Sequence, residues 1–244
     1  MSTTQKVDVV IPLGNGSKFD NLELRLALRS IAINLPNINQ IWIMTEYAPT
    51  WLINVNVVKS PDLYTNNKDA NLFTKVLQAC DTSDVAEHFL FWSDDQAILK
   101  PVNLNKWPVV INSRGPDKFT NNSTWPKRMQ NTFKYLANKG HNLTYNFDSH
   151  VPQMFSKTLF KSLIEKTPFK ILPGFCINTL YFGLQDGLKV VEQTKYKSCF
   201  EGKQINPVLG NTYFAGYNDQ AFISGVREIL LAKFPNPCKY EKSN

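Results

Sequence analysis

Two adjacent carboxylates, Asp94 and Asp95, directly follow the apolar run Phe89-Leu90-Phe91-Trp92. Carboxylates at the end of such a run are costly to desolvate unless something compensates them. A hard divalent cation, Mg²⁺ or Mn²⁺, does so directly, and such ions often share their ligand shell with a substrate diphosphate. Adjacent strand residues face opposite ways, so one carboxylate can bind the metal while the other holds a water, a ribose hydroxyl or an acceptor. The plain alternative is a turn Asp beside a helix cap. His150 lies in Phe147-Asp148-Ser149-His150-Val151-Pro152, which Pro152 biases toward an extended chain. It is a candidate third metal ligand, phosphate contact or base; the alternative is a hydrogen-bonded structural histidine. Asp219, in Tyr217-Asn218-Asp219-Gln220, opens a helix. It is either a helix-start carboxylate or the base that takes a proton from an acceptor hydroxyl.

Three further groups are candidates for holding a nucleotide. Asp8 sits inside the apolar run Val7-Asp8-Val9-Val10-Ile11 and needs a partner if it faces inward, either a nucleotide base or Arg29. Arg25 and Arg29 are four residues apart, hence on one helix face, where they could reach a diphosphate, pin Asp8 or make surface ion pairs. Gly14-Asn15-Gly16-Ser17 is a weak phosphate cradle, since it matches neither a dinucleotide-binding nor a P-loop pattern.

Positioning these residues requires strands that end where the polar groups begin. Val7–Ile11, Gln40–Thr45, Val55–Val58 and His88–Trp92 read as buried strands; Leu22–Leu35 and Asn67–Cys80 read as helices between them. This alternation predicts an α/β fold with a mostly parallel central sheet flanked by helices. Ligands of such sheets bind beyond the carboxyl ends of the strands, where Gly14–Ser17 and Asp94-Asp95 would both lie. Further on, Val109–Asn112 reads as a strand, while Pro126–Asn138 and Ser156–Lys166 read as helices. Ile177–Leu184 is ambiguous. Asn218–Lys233 reads as a final helix with Ala221, Phe222, Gly225, Ile229 and Ala232 inward. The expectation is a single domain over 1–244, with 1–100 as the nucleotide-binding half and 101–244 as the acceptor-binding half.

Composition is that of an ordinary globular chain: 244 residues, 43% hydrophobic, 19% charged, net charge +7. That excludes a disordered tail, a collagen-like fibre and a small disulfide scaffold. No apolar stretch approaches the roughly 18–20 residues of a membrane helix, and Met1–Lys6 carries no leader-like core. The four cysteines form no C-x-x-C pair, so a reduced, cytoplasmic protein is expected. The positive charge is concentrated: residues 118–170 hold 9 basic and 2 acidic side chains, whereas 1–99 hold 7 and 11. Such a block suits a polyanion, or is a solvated lysine face.

Taken in order, these segments resemble a known family. Val7-Asp8-Val9-Val10 with Asn15-Gly16, Leu24–Glu46 with its Leu28-Arg29-Ser30-Ile31 core, Ser93-Asp94-Asp95, His150-Val151-Pro152 and Asn218-Asp219 resemble the successive blocks of the Stealth sugar-1-phosphate transferases. The same order is similar to small glycosyltransferases of the GT-A nucleotide-sugar fold, phage enzymes among them. The resemblance implies a GT-A-like (Rossmann-type) domain and an active-site set of Asp8, one of Asp94 and Asp95, His150 and Asp219. Ser93 stands where the family has Asn, and Asn178 lies where its Arg-bearing segment would fall. Those departures favour glycosyl transfer over phosphoryl transfer.

The reading is therefore a metal-dependent glycosyltransferase using a UDP-sugar. Asp94, Asp95 and His150 are the metal candidates. Asp8, Gly14, Asn15, Arg25, Arg29 and Asp94 are the donor contacts, and Asp219, His150 and Asp95 the catalytic groups. A hydroxymethylated base in double-stranded DNA is one acceptor that the basic block and the phage-like resemblance suggest; capsule or lipopolysaccharide sugars are the rivals. A Stealth-type sugar-1-phosphate transferase and a non-enzymatic basic nucleic-acid-binding module are the alternatives.

Overall fold

The computed structural model describes residues 6–195, 197–200 and 212–242. All of the polar start except Lys6 lies outside them. In chain order the elements are β1 (Val7–Pro12), α1 (Leu22–Asn34), β2 (Ile41–Thr45), β3 (Asn56–Lys59), α2 (Lys68–Asp81), β4 (His88–Phe91) and β5 (Gln96–Ile98). There follow β6 (Val109–Ile111), α3 (Thr124–Asn138), β7 (Gln153–Ser156), α4 (Lys157–Ile164), α5 (Ile177–Gly183), β8 (Val190–Glu192), β9 (Lys197–Phe200) and β10 (Phe214–Tyr217). The last helical stretch comprises α6 (Asp219–Ala221), a π turn (Phe222–Val226) and α7 (Arg227–Lys233).

The central sheet has the order β3-β2-β1-β4-β7, with its first four strands parallel and β7 antiparallel to β4. This is the expected mostly parallel α/β sheet. β1 is apolar almost throughout because both of its faces are covered. Val7, Val9 and Ile11 face the α1 side with Leu24, Leu28 and Ile31. Val10 joins Phe73, Val76 and Ala79 of α2 on the other side. Side chains cap two of the helices: that of Asn67 accepts from Ala70 N and that of Ser156 from Leu159 N. Ile177–Gly183 is a helix, every residue of which is buried.

Two smaller sheets complete the fold. β10 pairs antiparallel with β5 and parallel with β9, while β6 pairs with β8. β6 is the strand expected at Val109–Asn112; β5, β8, β9 and β10, three or four residues long, are too short to leave a periodic signal in the sequence. Because β5 follows β4 after a tight turn, β10 is brought back against the first hundred residues.

The final helix differs from expectation. Gly225 has φ 123° and interrupts the stretch at the π turn, and a five-residue turn shifts the phase of everything after it. Ala221 and Phe222 are buried as expected; beyond the turn Val226, Leu230 and Phe234 are buried in place of Ile229 and Ala232, the latter exposed. Among the described residues, no helix is long and apolar enough to cross a membrane.

Candidate active site

Two cavities lie at the carboxyl ends of β1 and β4, with volumes of about 400 and 660 Å³. Leu72, Tyr217 and Asn218 line both. The location is the crevice expected of an open parallel sheet.

The first cavity opens where β1 ends. Gly14, Asn15, Gly16 and Ser17 form one wall. Ser17 shapes it: its Oγ accepts from Phe19 N and Asn21 N and donates to Glu23 Oε2 at 3.0 Å. Asp20 and Asn21 turn the chain into α1 with φ of 52° and 55°, a conformation these residue types adopt more readily than most. Lys75 of α2, 3% exposed, ties the loop down by donating to Leu13 O at 2.7 Å and pairing with Asp62 at 2.8 Å. The lining carries five carboxylates (Glu23, Asp62, Asp94, Asp95, Asp219) against two lysines, Lys68 and Lys75.

Asp94 and Asp95 occupy the turn from β4 to β5. The turn is rigid: Gln96 N donates to Ser93 O, Ser93 N to Gln96 Oε1, Trp92 Nε1 to Gln96 O and Tyr217 N to Asp95 O. Burial, together with the Asp95 and Glu23 charges, pushes the Asp94 carboxyl up to about 7. Asp95 Oδ2 lies 3.0 Å from His150 Nε2, while its buried Oδ1 has no partner among the described residues. Tyr217 is fully buried, and among the described residues its hydroxyl also has no partner. Burial and the two aspartates hold the phenol well above its usual value.

His150 takes a left-handed conformation, φ 54°. Gln153 fixes the segment by clasping both backbone groups of Val110 and donating to Ser149 Oγ, while Trp107 Nε1 donates to Pro152 O. His150 lines the second cavity. There Arg128 of α3 pairs with Asp69 of α2, and Trp125 Nε1 donates to Asp148 Oδ2 at 2.8 Å. Burial pushes the Asp69 carboxyl up to about 6 against the pull of Arg128.

The structure thus brings Gly14, Asn15, Asp94, Asp95 and Asp219 to one cavity and joins His150 to Asp95 from the neighbouring one. Asp219 is at the rim, two-thirds exposed and 3.1 Å from Lys18. Three expected donor contacts are elsewhere. Asp8 is at the opposite end of β1, roughly 13 Å from Pro12 at strand spacing. Its oxygens accept from Asn39 Nδ2, Gln40 N, Trp42 Nε1 and Ala86 N, which leaves no capacity for a nucleotide or for Arg29. Arg25 and Arg29 both grip Glu241, and Arg29 also donates to Phe234 O and Pro235 O. They anchor the carboxyl-terminal segment, not a diphosphate. Nor does the expected trio of Asp94, Asp95 and His150 converge. Among the described residues no group of three or more His, Cys, Asp or Glu side chains could hold a metal by itself, because His150 approaches only Asp95.

Sequence reasoning missed Glu23, Tyr217 and most of the second cavity. Glu23 had a signal, an acid in the first turn of a helix beside a polar loop. Tyr217, Trp125 and Arg128 had none, since they meet only through tertiary packing.

No protein-family model matches the chain, and no curated protein matches its sequence. Solved structures do match. The galactosyltransferase LgtC, in complex with donor and acceptor sugar analogs, is 9% identical over 95% of this chain and 98% of that one, with a TM-score of 0.53. A glycosyltransferase involved in glycosylation of the major capsid of PBCV-1 is 9% identical over 86% of this chain and 92% of that one, with a TM-score of 0.45. The chain therefore has a GT-A-like fold, shared with LgtC along nearly its whole length.

Proposed function

We propose that the chain is a metal-dependent glycosyltransferase that moves a sugar from a UDP-sugar to an acceptor hydroxyl. The observation that carries this reading is the crowded carboxylate pair at the end of β4: Asp95 Oδ1 has no partner among the described residues, and Asp94 is pushed up to about 7 by burial and its acidic neighbours. With five carboxylates against two lysines, the first cavity repels a bare diphosphate. It suits one that arrives with a divalent cation. The shared fold with LgtC, which holds donor and acceptor sugar analogs, supports the same reading. The acidic lining equally disfavours a nucleic-acid backbone there.

Asp94 and Asp95 would hold Mn²⁺ or Mg²⁺, and the substrate would complete the ligand set. When bound, the cation neutralises charge developing on the leaving diphosphate. The chain's own residues do the remaining work. The rigid β4–β5 turn aims the carboxylates. His150 holds Asp95 Oδ2, which leaves Oδ1 free. The Gly14–Ser17 loop lets the nucleotide approach the backbone, and the Tyr217 hydroxyl is a donor available to the ligand. With the donor in the first cavity and the acceptor in the second, His150 is better placed than Asp219 to take the acceptor's proton.

The test is to incubate the chain with UDP-sugars and Mn²⁺ and to separate UDP from UMP. UDP release that needs metal and falls about a hundredfold in Asp95→Asn is the expected result. UMP would instead mean sugar-1-phosphate transfer. No metal-dependent UDP binding at all would sink the proposal.

A further inference from the structure

We infer that the second cavity binds an uncharged saccharide; its role as the acceptor rests on the glycosyl-transfer reading above. Six buried side-chain nitrogen or oxygen atoms have no hydrogen-bond partner among the described residues, and four of them belong to residues that line this cavity. They are Arg128 Nε, Asn178 Oδ1, Gln193 Oε1 and the Tyr217 hydroxyl. Each such atom costs about 1–3 kcal/mol if it stays unpaired. Their clustering therefore points to a ligand that supplies the partners. The set mixes donors with acceptors. Sugar hydroxyls, which donate and accept at once, match that mixture. Asn178 is 7% exposed and Tyr217 1%, so both are buried residues of the cavity wall, Tyr217 lying between the two cavities.

Charge narrows the ligand class. The cavity's two arginines, Arg114 and Arg128, are balanced by Asp69 and Asp148. Arg128 is already paired with Asp69. Arg114 instead lies over the Phe119 and Trp125 rings, so among the described lining residues the arginines and aspartates match in number and offer no net positive charge to a uronate, a sialyl carboxylate or a sugar phosphate. The same balance argues against DNA. Of the basic side chains in residues 118–170, Arg128 alone lines this cavity. A base turned out of a duplex brings its flanking phosphates with it, and no lysine is among the described residues that line this cavity. The apolar lining fits a sugar ring, whose C–H faces pack on aromatic and aliphatic groups such as Trp125 and Ile177. A volume of about 660 Å³ lies within the usual range for a small-molecule site.

Saturation-transfer NMR on the full chain tests this with methyl β-glucoside, methyl β-galactoside, lactose, maltose, methyl glucuronide and a duplex carrying 5-hydroxymethylcytosine. UDP with Mn²⁺ is titrated separately by calorimetry. The expected result is transfer to at least one uncharged glycoside and none to the glucuronide. Asn178→Ala and Gln193→Ala each shorten a side chain whose oxygen has no protein partner. Each variant should weaken the glycoside about fivefold, the worth of one hydrogen bond, and leave UDP·Mn²⁺ affinity within about twofold. The inference is overturned if UDP·Mn²⁺ binds but no uncharged glycoside does, or if glycoside binding ignores both variants. It is also overturned if the glucuronide or the duplex is the ligand that Asn178→Ala weakens. If glycosides bind as described but UDP does not, the saccharide site stands and the nucleotide-sugar reading fails.

Discussion

Replacing Glu241 tests the reassignment of both arginines in one experiment. Its side chain is fully buried; its carboxylate takes Arg29 Nε at 2.7 Å and Nη2 at 2.9 Å, Arg25 Nη1 at 2.9 Å and Cys238 N at 3.1 Å. Against burial, which acts the other way, these hydrogen bonds hold the carboxyl down from the ordinary 4.5 to about 2. That lowering corresponds to about 3 kcal/mol, and screening near the partly exposed Arg25 leaves about 2 kcal/mol. Glu241→Gln removes the charge and leaves Arg29 buried without its counterion, so a loss of about 2–3 kcal/mol is expected near neutral pH. The sign with pH follows from the lowered value. The carboxylate's contribution is complete above about 4.5 and is lost as the pH falls toward 2. Wild type and variant should therefore differ most at neutral pH and converge over that window. Urea unfolding followed by tryptophan fluorescence reads both quantities, since Trp51 lies 4.0 Å beneath the Arg25 guanidinium. A neutral-pH gap below about 1 kcal/mol, or a gap that persists near pH 2, would refute the reasoning. UDP affinity should be the same in both proteins, because neither arginine lines either cavity.

Two other substitutions separate structural from functional carboxylates and hydroxyls. Asp8→Ala orphans four donors, two of them at Trp42 Nε1 and Ala86 N; it should cost about 3–5 kcal/mol in urea unfolding, and an unchanged KM for the UDP-sugar would confirm that Asp8 is not a donor contact. Tyr217→Phe removes a buried hydroxyl that has no partner among the described residues; stability should hold or rise by up to about 1 kcal/mol, while turnover falls. A large loss of stability would mean that the hydroxyl is bonded within the protein.

Much of the architecture was readable before any coordinates. The apolar runs of β1, β2 and β4 and the helical spacing of α1 and α2 fall within two residues of where they were expected. The reason is local: a strand buried on both faces must be apolar at every position, and a helix against it shows a 3.6-residue period. The same logic placed Gly14 and Asp94-Asp95 at strand ends, hence in the crevice. It failed where the period was broken, as at Gly225, or where strands of three residues left no pattern, as in β5 and β8.

By itself, then, the sequence determined the parallel α/β sheet and the acidic pair at the end of β4, because both follow from the order of apolar and polar residues along the chain. The tertiary structure alone decided which polar groups are already satisfied. Asp8 and Arg29 look like ligand contacts in isolation, and both are consumed by partners 31 to 212 residues away. Arg128 and Tyr217 carry no signal in sequence, and packing leaves Arg128 Nε, Asn178 Oδ1 and the Tyr217 hydroxyl without a partner among the described residues around one cavity. Hydrogen-bond satisfaction is a property of close approach in space, and spacing along the chain carries no record of it.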